Sequence, residues 1–180
     1  GCIDTKSITI DKPLGVTPVI TTLPTCANND GVITLTPIGG AGPFTYSIAP
    51  PVGTVVGNVI SGVPAGIYTI TITDTNTLCT ATAPVELSAP TPVDFDAVVT
   101  NATCNGSRNG TITVNLAAGS DNPVYTYSIL PVPVGMVQTN NVFSNLPADT
   151  YTITVFSGRG CSASKPFTVG QPLILDATAA

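Results

Sequence analysis

The residues of this chain best suited to covalent chemistry are its five cysteines, Cys2, Cys26, Cys79, Cys104 and Cys161. No histidine accompanies them, and no two are spaced as a Cys-x-x-Cys pair, so the ligand patterns of zinc sites are missing. Cysteines in such a pattern are typical of disulfides formed in an oxidising compartment. They therefore predict cross-links and no metal or other cofactor.

Other side chains offer little for catalysis. Without histidine, a serine or cysteine nucleophile lacks its commonest base, and Glu86 is the only glutamate. The net charge of −5, with the basic residues scattered, argues against binding to nucleic acid or to an anionic membrane. No apolar run approaches the roughly 20 residues that span a bilayer. The composition predicts a non-enzymatic protein without membrane insertion.

Two carboxylates, Asp94 and Asp96, are weak candidates for a calcium site. At a domain junction their oxygens could bind the ion together with Asn28, Asn29 and Asp30 of a preceding loop. The residues match no metal-loop spacing, and Asp and Asn are common as turn formers. A metal site is therefore not predicted here.

Four aromatic residues would stack on sugar rings if they were exposed: Phe44, Tyr46, Tyr125 and Tyr127. Each lies in a segment where apolar residues alternate with Thr or Ser, which is typical of the inward row of a strand. The alternation favours a place in the core over a sugar-binding platform.

One Tyr-led segment occurs twice. Residues 63–74 read Val-Pro-Ala-Gly-Ile-Tyr-Thr-Ile-Thr-Ile-Thr-Asp, and residues 146–155 read Leu-Pro-Ala-Asp-Thr-Tyr-Thr-Ile-Thr-Val. The period of two indicates a strand with one face on a core. Tyr68 and Tyr151 follow the turn into this strand, the position of a tyrosine corner in an immunoglobulin-like sandwich. The sequence predicts an all-β chain of tandem immunoglobulin-like β-sandwich domains arranged end to end.

A second segment occurs three times. The spacing Cys-x5-apolar-x-apolar-x2-Pro begins at Cys2, Cys79 and Cys161. A Pro closes a strand where no further ladder bond is needed, so each copy is predicted to be the last strand of a sandwich. The first copy has no preceding strands, and we expect the chain to be a window from a longer array.

The repeats divide the chain into four predicted pieces. These are the closing strand of a preceding repeat at 1–13, full repeats at 14–90 and 91–172, and the first strand of a following repeat at 173–180. The junction at 90–92 reads Pro-Thr-Pro and lacks the Gly and Ser of flexible linkers. We expect neighbouring sandwiches to stack as a rod.

Three short motifs accompany these strands. They are Asp-Gly or Asn-Gly before the second strand, Gly-Pro-Phe-Thr-Tyr at 42–46, and the Pro-Ala-Gly-x-Tyr-Thr-Ile-Thr-Ile-Thr-Asp run with its following cysteine. Together they resemble SprB-type repeats of large cell-surface adhesins in gliding Bacteroidetes. The second repeat departs from the pattern at Asp149 and in the turn 157–160. The resemblance implies type IX secretion and a place in an extracellular filament.

The pairing of the cysteines depends on which end of a sandwich each one occupies. Cys26 precedes the second strand, where the chain leaves the domain, and Cys79 precedes the closing strand at the opposite end. A strand of about eight residues separates these ends by roughly 25 Å, whereas a disulfide spans about 4.4–6.8 Å between Cα atoms. We predict a bridge from Cys26 to Cys161 of the next domain, with Cys2, Cys79 and Cys104 serving repeats outside the chain. One bridge per domain, Cys26–Cys79 and Cys104–Cys161, remains the alternative.

The predicted function is structural. The chain is expected to be a stiff spacer, with an adhesive surface, in a secreted cell-surface filament or adhesin of the gliding-motility type. Its partners would be neighbouring repeats, surface polysaccharide or other filament chains. The alternatives are a glycan-binding surface module and a polymerising subunit whose residues 1–13 add a strand to a neighbour.

Overall fold

The computed structural model describes residues 12–118 and 124–174, which form fourteen β-strands and no helix. The chain divides into two compact units, Gly1–Ala89 and Pro90–Ala180. The predicted all-β fold class is confirmed. Most of the two terminal strands predicted at 1–13 and 173–180 lies outside the described residues.

Within its described residues, the first unit contains seven strands in two antiparallel sheets. The strands are β1 Gly15–Thr22, β2 Gly31–Ile38, β3 Phe44–Ala49, β4 Thr54–Val56, β5 Val59–Val63, β6 Gly66–Asp74 and β7 Thr80–Leu87. One sheet has the order β1-β2-β5-β4 and the other β3-β6-β7. This is the four-plus-three arrangement of a constant-type immunoglobulin domain.

The second unit repeats this arrangement. Its strands are β8 Phe95–Thr100, β9 Gly110–Leu116, β10 Thr126–Leu130, β11 Val137–Thr139, β12 Val142–Leu146, β13 Asp149–Phe156 and β14 Ser162–Val169. The sheets are ordered β8-β9-β12-β11 and β10-β13-β14. The Tyr-led segments are β6 and β13, the central strands of the three-stranded sheets.

The cores follow from the alternation of apolar residues and Thr. In β6 the side chains of Tyr68, Ile70 and Ile72 are buried, while Thr69 is exposed. Each fully buried aliphatic side chain stabilises the fold by about 1.5–3 kcal/mol relative to an exposed one. The second unit has an equivalent core around Tyr151.

Three of the strands at sheet edges contain a proline. Pro18 lies in β1, Pro84 in β7 and Pro166 in β14. Proline has no N–H to donate and is confined within sheets to edge strands or bulges. Each of these edges therefore lacks one donor that an added strand would need.

Candidate functional site

Antiparallel pairing defines two ends in the first unit. β1 starts at Gly15 opposite Ile38, the last residue of β2, and the chain comes in at this end. β2 starts at the other end, where a Cβ added to Gly31 would meet Leu87, the last residue of β7, at 2.6 Å. We call these the incoming and outgoing ends. Because β2 has eight residues, they lie about 24 Å apart.

The second unit has the same two ends. Phe95 at the start of β8 lies opposite Leu116 at the finish of β9, which marks the incoming end. At the outgoing end a Cβ added to Gly110 would stand 2.4 Å from Val169, the last residue of β14. β9 has seven residues, so these ends are about 20 Å apart.

Cys26 lies in the β1–β2 loop at the outgoing end of the first unit. The carboxylate of Asp30 accepts hydrogen bonds from the backbone N–H of Thr25 at 2.7 Å and from its hydroxyl at 3.1 Å. These bonds connect Thr25 with Asp30, which lie on either side of Cys26 in the loop. The Asp of the Asp-Gly motif therefore holds the cysteine loop.

Cys104 lies in the equivalent β8–β9 loop of the second unit. The side-chain oxygen of Asn109 accepts from the backbone N–H of Thr103 at 3.1 Å, and its amide donates to the Thr103 hydroxyl at 2.7 Å. Asn109 therefore does for Cys104 what Asp30 does for Cys26. The Asp-Gly and Asn-Gly motifs share this function although their charges differ.

The β8–β9 loop also binds the chain that leaves β14. The carbonyl of Gly170 accepts from the N–H of Ala102 at 2.9 Å, and the side chain of Gln171 accepts from the N–H of Gly106 at 2.8 Å. A cleft of about 470 Å³ lies beside this contact. It is lined by Thr103, Cys104, Asn105, Pro172, Leu173 and Ile174.

At the incoming end of the first unit, Asp74 organises the turns around Cys79. Its buried carboxylate accepts from the N–H groups of Ala41 at 2.8 Å, Gly42 at 3.1 Å and Asn76 at 2.9 Å. The bond from Ala41 is the largest cause that holds the pKa of Asp74 below its usual range. The N–H of Asp74 donates to the carbonyl of Cys79 at 3.0 Å.

In the second unit Ser157 takes the place of Asp74. Its N–H donates to the carbonyl of Cys161 at 2.8 Å, and its hydroxyl accepts from the N–H of Cys161 at 3.2 Å. The hairpin is one residue shorter than in the first unit and contains Gly160 directly before the cysteine. A different turn thus places the cysteine at the same end.

The cysteines of each unit lie at opposite ends, too far apart for the 4.4–6.8 Å between Cα atoms that a disulfide typically spans. Cys79 and Cys104 are exposed free thiols. Cys26 and Cys161 are both disulfide-bonded. One bridge per domain is therefore wrong. The specific pairing of Cys26 with Cys161 stays a prediction, and Cys2 lies outside the described residues.

The two tyrosines at the start of the central strands make matching hydrogen bonds. The hydroxyl of Tyr68 donates to the carbonyl of Pro64 at 3.0 Å, and that of Tyr151 donates to Pro147 at 2.9 Å. Both rings are buried in the cores. Burial raises the pKa of Tyr151. This is the geometry of a tyrosine corner.

The structure places a lysine against the first of the two candidate calcium ligands. The Nζ of Lys165 lies 2.8 Å from Oδ1 of Asp94 and 5.3 Å from the centre of the Phe95 ring. Its hydrogen bond is the largest cause that lowers the pKa of Asp94. Asp96 instead accepts from the N–H of Ala97 at 2.8 Å. Within 12–118 and 124–174 no three His, Cys, Asp or Glu residues form a metal-binding group.

The four candidate sugar-stacking aromatics are partly buried against the two cores: Phe44, Tyr46, Tyr125 and Tyr127. Burial raises the pKa of Tyr46 and of Tyr127. Tyr46 lines a shallow cleft beside β4, and Tyr127 lines another near Gln138. Packing against the core is what their alternation predicted. The described residues contain no helix able to span a membrane.

The fold and the equivalent ends of the two units define a class of tandem immunoglobulin-like repeats. Two stretches of the chain match the SprB repeat family, residues 19–53 and 97–133. The first stretch covers half of β1 together with β2 and β3, and the second covers most of β8 together with β9 and β10. Each unit thus contains a SprB repeat segment, and the resemblance seen in the sequence is confirmed. The match stops before β6 and β13.

Several solved structures are similar to the chain. The three N-terminal domains of the bacteriophage RB49 outer capsid protein Hoc match at a TM-score of 0.55 and 14% identity, over 88% of this chain and 59% of that one. A C-terminal fragment of intimin matches at a TM-score of 0.38 and 14% identity, over 90% and 64%. Domains 4 and 5 of the S-layer protein SbsC match at 0.40 and 16%, over 90% and 100%.

At 14% identity the likeness to Hoc shows the fold alone. The chain spans less than two thirds of the Hoc and intimin structures, 59% and 64% of their lengths. No curated protein matches the chain by sequence.

Proposed function

We propose that the chain is a stiff, non-enzymatic spacer, with an adhesive surface, in a large secreted filament or adhesin of the gliding-motility type. The observation that carries the proposal is that the two units share the same strand arrangement and the same placement of cysteines. Both units contain a SprB repeat segment and have a cysteine at each end. The family resemblance further suggests export by the type IX route and a place at the cell surface.

The stiffness would come from a disulfide between Cys26 and Cys161. Cys26 lies at the outgoing end of the first unit, and Cys161 lies at the incoming end of the second. The chain passes directly from the first of these ends to the second. Both are disulfide-bonded, whereas Cys79 and Cys104 are free. Such a bridge would stabilise the protein by about 2–4 kcal/mol. In the same scheme Cys2, Cys79 and Cys104 would pair with cysteines of neighbouring repeats.

Cleavage before aspartate tests the pairing, because it places each cysteine on its own peptide. The five peptides span residues 1–3, 11–29, 74–93, 96–120 and 149–175. A non-reducing peptide map should link 11–29 to 149–175. A link from 11–29 to 74–93, or none from 11–29, would contradict the proposal.

Small-angle X-ray scattering tests the spacer role. The double variant Cys26→Ser, Cys161→Ser should show a broader distribution of interatomic distances than the wild type, because it lacks the cross-link. The double variant Cys79→Ser, Cys104→Ser is the matched control and should leave the distribution unchanged. Identical curves for all three proteins would argue against a disulfide-stiffened spacer.

A glycan array separates the spacer from the glycan-binding module. A spacer retains no glycan reproducibly. Reproducible binding that Tyr46→Ala or Tyr127→Ala removes would favour the glycan-binding module, because these tyrosines line the clefts beside β4 and near Gln138.

A further inference from the structure

We propose that the edge of β3 in the first unit is a docking strand for a second copy of this chain. Two copies would pair β3 against β3 in antiparallel orientation and join their three-stranded sheets into one. The inference goes beyond the proposed function, because it concerns copies that associate side by side. It does not depend on the pairing of Cys26 with Cys161.

The backbone groups of Phe44, Tyr46 and Ile48 point away from β6, toward the open edge of the sheet. Phe44 lies opposite Asp74, and the N–H of Asp74 donates into the hairpin toward β7. Phe44 therefore does not bond β6, and the alternation along an antiparallel strand gives Tyr46 and Ile48 the same outward direction. β3 is the last strand of its sheet. The N–H and C=O of these three residues thus bond no partner within the part of the chain that the structure describes.

Other edge strands of the described residues have features that hinder an added strand. β1, β7 and β14 contain Pro18, Pro84 and Pro166, which lack a donor. In β10 the carbonyl of Tyr127 already accepts from the side-chain amide of Gln138 at 3.0 Å. β4 and β11 have only three residues each. These features are the usual means by which proteins prevent association through sheet edges.

The edge of β8 is blocked by side chains. The N–H of Phe95 donates to Asp94 at 2.9 Å, and the carbonyl of Phe95 accepts from the Nζ of Lys165. The N–H of Ala97 donates to Asp96 at 2.8 Å. Among the edge strands of 12–118 and 124–174 that have five or more residues, β3 alone contains neither a proline nor a capping side chain. An edge left open where the others are blocked is suited to pairing.

The first unit lacks the glutamine that caps β10. Val55 is the middle residue of β4, and Gln138 is the middle residue of β11. A valine side chain cannot donate to the carbonyl of Tyr46, which is the counterpart of Tyr127. The cleft of about 480 Å³ beside β3, lined in part by Tyr46 and Val55, therefore opens onto an uncapped strand.

The immunoglobulin-like fold has room for a strand at this position. β3, β6 and β7 correspond to the C, F and G strands of a constant-type domain. Variable-type domains extend the same sheet by further strands next to strand C. A strand from a second copy would therefore take a place that related domains fill with a strand of their own.

The backbone of β3 is complementary to itself. In an antiparallel pair centred on Tyr46, the two Tyr46 residues bond each other, and Phe44 of each copy bonds Ile48 of the other. Every outward N–H and C=O then has a partner. Pro43 and Pro50 flank the strand, so both copies end at the same points. Because the contact is two-fold symmetric, it closes at a dimer.

The exposed side chains of β3 suit the same pairing. Thr45 of one copy would lie opposite Ser47 of the other, and a hydroxyl pair of this kind joins Thr154 to Ser164 at 2.7 Å between β13 and β14. Neither β3 nor the described lining of its cleft contains a charged residue. Two copies of a chain with a net charge of −5 therefore meet here without like charges opposite each other. The neutral strand favours a second copy over a charged partner.

Sedimentation velocity over a series of protein concentrations tests the contact. A Cys2→Ser, Cys79→Ser, Cys104→Ser background removes thiols that could join copies by another route. This protein should shift from monomer to dimer as its concentration rises. Val55→Gln should weaken the dimer about tenfold, because the new amide caps a carbonyl that the second copy needs. Val56→Gln, at the 69% exposed neighbouring position, is the matched control and should leave the dimer unchanged.

Three results would overturn the proposal. The first is a protein that stays monomeric up to about 1 mM, the range of weak specific contacts. The second is an equal effect of Val55→Gln and Val56→Gln. The third is growth beyond a dimer, since β3 would then pair with a different edge. None of these results affects the link between Cys26 and Cys161, which the peptide map tests separately.

Cysteine cross-linking tests the register in the same background. Thr45→Cys and Ser47→Cys are prepared as separate proteins, and both positions are exposed. In the proposed register they face each other as a non-hydrogen-bonded pair, whose Cα separation of about 4.5 Å suits a disulfide. With oxidised glutathione as the oxidant, the equimolar mixture should form disulfide dimers several-fold faster than either protein alone. Equal rates for the mixture and the separate proteins would contradict the pairing centred on Tyr46.

Discussion

Gly31 packs so closely against Val63 that a Cβ on Gly31 would stand 2.4 Å from the carbonyl oxygen of Val63. In the second unit a Cβ on Gly110 would stand 2.9 Å from the carbonyl oxygen of Leu146. These contacts bring together two motifs that are far apart in sequence, the Asp-Gly or Asn-Gly pair and the start of the Val/Leu-Pro-Ala run. The glycine is needed because the second strand begins directly against that turn.

Gly31→Ala and Gly110→Ala should therefore destabilise the protein, by about 1–3 kcal/mol each, since the added methyl group overpacks a closed site. Urea unfolding measures the loss. Gly15→Ala is the matched control, because its Cβ would meet nothing closer than 3.6 Å. Equal stability of Gly31→Ala and Gly15→Ala would show that the contact is not restrictive.

Removing the hydroxyl of Tyr68 or Tyr151 should also weaken the fold. Tyr68→Phe and Tyr151→Phe each leave the carbonyl of Pro64 or Pro147 without its donor, at a loss of about 0.5–1.5 kcal/mol. Thermal unfolding should show lower midpoints for both variants. Tyr46→Phe provides the comparison, since no hydrogen bond to its hydroxyl is found among the described residues. If Tyr46→Phe destabilises the protein as much as Tyr68→Phe does, the hydrogen bond of the tyrosine corner has no special role.

Acid should weaken the first unit through Asp74. Because its hydrogen bonds lower the folded-state pKa, ionised Asp74 favours folding above the unfolded-state pKa, which is near 3.9. This stabilisation is lost as the pH falls from about that value through the folded-state pKa. Asp74→Ser, which copies Ser157 of the second unit, should be less stable than the wild type at neutral pH.

The difference in stability between the wild type and Asp74→Ser should shrink as the pH is lowered to about 2, because protonation removes the stabilising effect of the Asp74 carboxylate. Urea midpoints at a series of pH values measure it. Asp96→Asn, at a carboxylate outside this turn, serves as the control. A difference between wild type and Asp74→Ser that stayed constant over this range would contradict the explanation.

Calcium should not stabilise the protein, because Lys165 already neutralises Asp94 at 2.8 Å. Excess calcium or a chelator should leave the thermal midpoint unchanged. A calcium-dependent rise that Asp94→Asn abolishes would instead support the calcium site considered from the sequence. Lys165→Met would sharpen the test, since it removes the lysine charge from beside the Asp94 carboxylate.

The strands were predictable because their signal is local. The alternation in 63–74 and 146–155 follows from the two-residue period of a strand, and it places Tyr68, Ile70 and Ile72 in the core as expected. The alternation is less regular in 52–60, which contains β4 and the first two residues of β5.

The parts of the site that were missed depend on contacts between distant segments. Nothing near Asp74 in sequence indicates that it binds the N–H groups of Ala41 and Gly42 more than thirty residues away. The bond between Lys165 and Asp94 likewise joins residues that are 71 positions apart. The spacing of polar residues along one strand does not indicate such partners.

By itself, the amino-acid sequence determined that this protein is built from repeated all-β units with a cysteine before the second strand and another before the closing strand. These features can be predicted because residue type and periodicity are properties of neighbouring residues in the sequence. Only the tertiary structure decided that Cys79 and Cys104 stay free, and that Asp30 and Asn109 hold the cysteine loops. The reason is that sheet pairing, and not sequence distance, determines which loops share an end.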